Sequence, residues 1–235
     1  PDRIPVTPNT IFDMASLTKV MATTPSVLIL CEQGKFRLDD PVALFIPEFG
    51  IHGKHVITIR HLMTHSSGLP DHIKFWQEGL QGKEIIERIC SMEIPEGLQP
   101  GRQVIYSDLG SILLGEIVER VTGMDIKQFS EANVFRPLGM CDTYYLPPEH
   151  LRHRIAATEY REDFGKVMWG EVHDFYCQEY SDFSEMVQLM HSSRLYSFEA
   201  DPLRFPNGLK SCIDKIKEYG ITVGMWHPTT GYWHG

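Results

Sequence analysis

From Leu109 onward apolar residues recur at helical spacing: Ile112, Leu113, Ile117, Val118 and Val121 stand three or four apart with polar positions between them. Gly123 follows where a left-handed cap belongs, so the pattern predicts a helix that ends there. Asp125 to Val134 predicts a second helix, closed by Pro137-Leu138-Gly139. Nearer the start, a polar turn at Thr10 leads into a helix carrying Val20, Val27, Leu28 and Leu30, kinked at Pro25 and stopped at Gly34. Lys35 to Gly53 is punctuated by Pro41, Pro47 and Gly50, which predicts short turns over a surface. Thr58 is placed to cap a brief helix, Ile59 to Thr64, leading to the loop Ser66-Ser67-Gly68-Leu69-Pro70. A further loop, Pro95 to Gly101, precedes Tyr106.

The texture changes after about Asp174. Phe175 to His191 is aromatic and acidic, Lys210 to Tyr219 alternates basic and apolar residues as a surface helix does, and Ile221 to Trp226 reads as a short apolar strand. Helix, glycine turn and buried strand make the α-to-β half of a β/α repeat. The expectation is a mixed α+β chain in three parts: a domain over 1–174, a junction over 175–190 and a fragment over 191–235.

Composition narrows the functional classes. Of 235 residues, 42% are hydrophobic and 23% charged, the make-up of a globular protein rather than a disordered or fibrous one. No apolar run approaches the roughly 20 residues that a spanning helix needs, so no membrane span is expected. The formal charge of -9, with no basic tract, repels a polyanion and argues against nucleic acid as a partner. Cys31, Cys90, Cys141, Cys177 and Cys212 are scattered, without a Cys-x-x-Cys pair, and are read as free thiols, most of them buried. That leans toward a reducing, cytoplasmic compartment. The start at Pro1-Asp2-Arg3 without Met leads to the expectation of an upstream segment, so localisation stays open.

The candidate chemistry begins at Ser16-Leu17-Thr18-Lys19, which puts a hydroxyl and an amine three apart on one helical face. A serine is a weak nucleophile unless a neighbour takes its proton, and a lysine does so only when burial and nearby positive potential lower its pKa. Tyr106-Ser107-Asp108 stands just before the strongest helix, and His65-Ser66-Ser67-Gly68-Leu69-Pro70 forms a loop upstream.

With these motifs the sequence resembles the serine β-lactamase and penicillin-binding-protein-like family, in its class C β-lactamase and esterase branch. Thr10-Ile11-Phe12-Asp13-Met14-Ala15-Ser16-Leu17-Thr18-Lys19 is similar to that family's first motif and Tyr106-Ser107-Asp108-Leu109-Gly110 to its second. The match continues through Leu114-Gly115-Glu116, Val121-Thr122-Gly123 and Pro137-Leu138-Gly139-Met140. The resemblance implies a partial β-lactamase/transpeptidase-like fold, mainly its helical half. It implies acyl-enzyme hydrolysis of a small-molecule ester, amide or β-lactam: Ser16 attacks the carbonyl, Lys19 and Tyr106 shuttle the proton, and water releases the acid. It implies no cofactor and no metal. Ser107 would be spacing alone. Asp108, in the substrate-binding position, stands where most of the family has Asn, and a carboxylate there favours the ammonium form of Lys19. The third motif, a Lys/His-x-Gly on an edge strand, is not found; His227-Pro228-Thr229 and His234-Gly235 lack its context.

A second resemblance covers about 191–235. Leu195 to Pro202, Arg204 to Lys210, Gly224-Met225-Trp226-His227 and Gly231-Tyr232-Trp233 look like a piece of the raffinose-synthase and α-galactosidase-like glycoside hydrolases, whose catalytic domain is a (β/α)-barrel. Trp226, His227, Tyr232 and Trp233 would suit stacking on sugars, while the two carboxylates that glycoside hydrolysis requires are expected outside this stretch. Three readings stand side by side: a serine hydrolase acting through Ser16, a glycoside-hydrolase fragment, and a non-catalytic chimeric chain that self-associates through exposed apolar surface. His61-x-x-x-His65 could place two imidazoles on one face for zinc, but lacks the Glu of His-Glu-x-x-His, and no Gly-x-Ser-x-Gly turn is present.

Overall fold

The apolar seam that begins at Leu109 is the axis on which the other elements pack. A computed structural model describes residues 5–162, 165–169 and 190–192 of the chain. Its regular elements are β1 (Ile11–Asp13), α1 (Thr24–Glu32), α2 (Ile59–Met63), α3 (Lys83–Ser91), α4 (Asp108–Thr122), α5 (Ile126–Ser130), β2 (Ala157–Arg161), β3 (Lys166–Trp169) and β4 (Met190–Ser192). On α4, Leu109, Leu113, Leu114, Ile117 and Val118 are buried, and Gly123 takes φ +71, the left-handed stop that the pattern predicts. Around this seam lie Val27 and Leu30 of α1, Ile59 and Leu62 of α2, Ile85, Ile86 and Ile89 of α3, and Ile126 and Phe129 of α5. Each such side chain contributes roughly 1.5–3 kcal/mol by leaving water, so this cluster dominates the described fold.

Thr58 caps its helix as the sequence reading expects, and Asp125 caps the helix expected to begin there. Thr58 Oγ1 accepts the His61 N–H at 3.3 Å while His61 Nδ1 accepts the Thr58 N–H at 3.2 Å, a reciprocal cap that starts α2. Asp125 Oδ1 accepts the Gln128 N–H at 2.7 Å and starts α5, which widens into a π-type turn over Glu131–Phe135.

Other expectations are corrected. In place of the polar turn and single helix expected over Thr10 to Gly34 stand β1, a 3₁₀ turn at Ala15–Leu17, a π-type turn at Lys19–Thr23 and then α1. The extra residue in the wide turn takes Val20 out of phase with Val27 and Leu30, which face the core, and leaves it exposed; Leu28, one position on from Val27 in α1, is exposed as well. Pro25 stands in the first turn of α1, where its missing N–H costs little, rather than kinking a continuous α-helix. The stretch 35–53 is not a surface excursion. Its 3₁₀ turns at Val42–Leu44 and Pro47–Gly50 carry Val42 and Phe49 fully into the core, with Ile46 between the turns buried beside them. Among the described cysteines only Cys90 is buried; Cys31 is half-buried and Cys141 exposed, all as free thiols.

β1 pairs antiparallel with β4, Phe12 opposite His191, and Ala156 N–H donates to Ile11 O at 2.8 Å. β2 and β3 form a separate antiparallel pair. The described residues lie in the first of two compact units, Pro1–Ser193; the second, Arg194–Gly235, lies outside them. Outside them too are the expected boundary near 174, all but the last residue of the expected junction, most of the barrel-like fragment with its expected helix and strand, Cys177 and Cys212. No described helix is long and apolar enough to cross a membrane.

Candidate active site

Ser16 sits in the 3₁₀ turn directly after β1. Asp13 Oδ1 accepts the Ala15 N–H at 2.8 Å, Met14 O accepts the Leu17 N–H at 2.8 Å, and Thr18 Oγ1 donates to Ala15 O at 2.6 Å. Ala15 takes φ +41, a left-handed conformation that costs an alanine about 1–2 kcal/mol. A second apolar cluster, Met14, Ala22, Val134, Phe135 and Tyr145, anchors the turn from below. The hydroxyl of Tyr145 meets Ser130 Oγ at 3.3 Å inside that cluster, and burial pushes the phenol's pKa well up. The result is an exposed Ser16 between half-buried Ala15 and Leu17, on a turn flanked by buried Met14 and Thr18.

Lys19 follows one turn later. Its Nζ donates to Ser16 Oγ at 3.1 Å, lies 2.7 Å from Asp108 Oδ1 and sits 4.9 Å from the centroid of the Tyr106 ring. The four residues expected from the sequence therefore meet in one place, although Ser16 and Lys19 both precede α1 rather than opening an α-helix. Asp108 Oδ1 is buried and has no hydrogen-bond partner among the described residues; what it faces is the Lys19 ammonium, 2.7 Å away. Burial pulls the Lys19 pKa down, but the contact and charge of Asp108, reinforced by Tyr106, outweigh it and leave the amine above its ordinary value. This direction agrees with the expectation that a carboxylate at 108 favours the ammonium form of Lys19, and it opposes the depression that serine activation by a lysine requires.

Two residues outside the expected set shape the site. Ser107 is not spacing. It is buried; its Oγ donates to Pro70 O at 2.6 Å and its N–H donates to His65 Nδ1 at 3.1 Å. The neighbouring amides are tied to the same loop, Ile105 N–H donating to His65 O and Asp108 N–H to Asp71 O, both at 2.8 Å. His65 takes φ +53, and its ring packs on the Tyr106 ring with centroids 4.7 Å apart and planes inclined at 38°. Burial lowers the His65 pKa, and the Lys19 charge lowers it further. The motif that contains His65 is visible in the sequence, but nothing in its spacing says that the imidazole meets position 107. Nδ1 of His61 and of His65 is each occupied by a backbone N–H, so the His61-x-x-x-His65 spacing serves two different local structures. Among the described residues there is no cluster of three or more His, Cys, Asp or Glu arranged for a metal. The residues weighed for a third motif, His227 to Thr229 and His234-Gly235, lie outside the described residues.

Comparison with known proteins matches residues 1–202 to the Beta-lactamase family. A protein of Escherichia coli (strain K12) named "Putative D-alanyl-D-alanine carboxypeptidase" is 33% identical over 200 residues, covering 73% of this chain and 45% of its own length. A protein of the same name from Salmonella agona (strain SL483) is 31% identical over 192 residues, covering 72% and 44%. A class C beta lactamase from Rhodobacter sphaeroides superposes with a TM-score of 0.64 at 26% identity, over 81% of this chain and 50% of that one. The octameric penicillin-binding protein homologue from Pyrococcus abyssi superposes with a TM-score of 0.63 at 26% identity, over 82% and 45%. The chain thus spans about half the length, or somewhat less, of these relatives.

Proposed function

The chain belongs to the beta-lactamase family and shares the helical portion of its fold, and on that premise we propose that it is a serine hydrolase acting through Ser16. The observation that carries this reading is the 3.1 Å contact between Lys19 Nζ and Ser16 Oγ, with Tyr106 and Asp108 on the same ammonium. Acylation begins once Lys19 has given up a proton. The free amine takes the Ser16 proton as Oγ bonds to the substrate carbonyl carbon, and the proton passes by way of Tyr106 to the departing oxygen or nitrogen as its bond to carbon breaks. Water then adds to the acyl carbon, the acid leaves and Ser16 regains its proton. Asp108 orients the amine and contacts substrate.

The substrate class is an ester, amide or β-lactam carbonyl. The names of the curated relatives add peptides ending in D-alanyl-D-alanine to the compounds worth testing. The glycoside-hydrolase and non-catalytic readings draw no support from any described residue and enter no step. The test is incubation of the chain with a penicillin and with a fluorophosphonate, read by intact mass. A single adduct that disappears in Ser16→Ala is expected; no adduct at high probe concentration, or an adduct that survives in Ser16→Ala, overturns the reading.

A further inference from the structure

Tyr106 poses a positional problem. The residue is 51% exposed on the loop before α4, yet its ring lies against the Lys19 ammonium. An aromatic that exposed gains little from burial to select one rotamer, so its placement depends on what touches the covered face. That face meets the imidazole of His65 at a centroid separation of 4.7 Å.

His65 is itself tightly defined. Its left-handed backbone is framed by Ser66 N–H donating to His61 O, Gly101 N–H to Ser66 O and Ile105 N–H to His65 O, all at 2.8 Å. Nδ1 accepts the Ser107 N–H, so the proton of the neutral ring sits on Nε2. A protonated ring would set one N–H against another at that contact. The charged groups acting on the ring are Lys19 from the π-type turn and Asp108 from α4; the first opposes protonation and the second favours it. Asparagine could supply the acceptor and phenylalanine the ring, but histidine supplies both.

Resting on the Ser16 reading, we infer that His65 is a positioning residue: Nδ1 fixes the amide of Ser107 while the ring face holds the Tyr106 phenol over Lys19. It contributes no atom to the reaction. Its effect on rate passes through Tyr106, because displacing a proton carrier by about 1 Å can slow a step by as much as a hundredfold.

The test is a double-mutant cycle on acylation, measured with a chromogenic β-lactam or p-nitrophenyl ester and checked by intact mass. His65→Asn keeps an acceptor near Nδ1, tolerates the left-handed backbone and removes the ring, and its thermal unfolding shows whether it folds as the wild type does. The expected result is an acylation rate constant about tenfold lower with KM changed by less than about twofold, and almost no effect of the same substitution in a Tyr106→Phe background. His65→Phe, which keeps the ring and loses the acceptor, also slows acylation. Equal losses from His65→Asn in both backgrounds, or no loss in the first, overturn the positioning role. A wild-type chain that forms no adduct overturns the Ser16 reading and this one with it, whereas a normal adduct with an indifferent His65→Asn overturns this one alone.

Discussion

Lys19 Nζ and Asp108 Oδ1 lie 2.7 Å apart, with the lysine side chain 13% exposed and the aspartate 45%. The pair favours the protonated form of Lys19, the base in the mechanism proposed above. Before Lys19 can accept a proton from Ser16 it must lose one against the pull of this carboxylate.

Asp108→Asn should therefore speed acylation at neutral pH. Without the anion the free-amine fraction at any pH is larger, so the acid limb of the pH profile for acylation moves to lower pH. The rate on that limb rises in proportion to free amine, by up to roughly tenfold. The check is the acylation rate against pH for both forms. An unmoved limb would mean that the lysine is not the base. Because the folded pKa of Lys19 is raised, the pair stabilises the fold below the ordinary lysine value and loses that contribution as pH climbs through the folded one. The variant should accordingly be slightly less stable at neutral pH, an effect kept small by the exposure of Asp108.

His65 carries the opposite sign. Its folded pKa is lowered, by burial first and by Lys19 next, so its contribution is present above the ordinary imidazole value and lost as pH falls through the folded one. Stability should drop on mild acidification, and His65→Asn should flatten that part of the curve. Lys19→Ala removes the cation and should raise the His65 midpoint, which imidazole proton resonances report directly. A midpoint that fell would contradict the described geometry.

Lys54 offers a test of the core apart from the chemistry. It is fully buried, its Nζ donates to Cys90 O at 2.8 Å and to Met92 O, and it lies 5.3 Å from the centroid of the Phe49 ring. These carbonyls close the end of α3, where helical partners run out. Burial lowers the pKa of this amine, which the two carbonyls keep hydrogen-bonded. Lys54→Met fills similar space without donors and should cost about 1–3 kcal/mol in denaturant unfolding, with the acylation rate of the folded fraction unchanged. A gain in stability would show that desolvating the ammonium outweighs its bonds.

Ser107→Ala joins the two regions. Losing the hydroxyl strands Pro70 O and loosens the loop that carries His65, at a cost of about 1–2 kcal/mol. Acylation should slow as well, since Tyr106 and Asp108 flank the same residue. Unfolding and acylation measured on one preparation separate the two effects, and a variant with normal stability and normal rate would count against this role for the Ser107 hydroxyl.

Much of this arrangement was legible in the linear pattern, and particular residues show why. The period of Leu109 to Val121 and the glycine at 123 are local properties of a helix and its cap, and they appear in α4 as expected. Ser16 and Lys19 are three apart, close enough that any helical turn brings them together, so their contact survived even though the turn is not α-helical. Thr58 and Asp125 cap their helices for the same local reason. The exposure of Val20 was not legible, because one extra residue in a π-type turn takes it out of phase with Val27 and Leu30. Nor was the burial of Val42, Ile46 and Phe49, since proline and glycine mark turns without saying what the turns lie against.

What the sequence alone determined, then, is whatever depends on neighbours a few positions away: the long helix, the caps, the adjacency of hydroxyl and amine. Only the tertiary structure decided that the carboxylate at 108 neutralises the amine at 19, and that the imaging of one loop on another places His65 between Ser107 and Tyr106. The reason is physical. Helical periodicity is written into consecutive dihedral angles, whereas a contact between residues more than 40 positions apart depends on how whole elements pack, and no short-range rule encodes that.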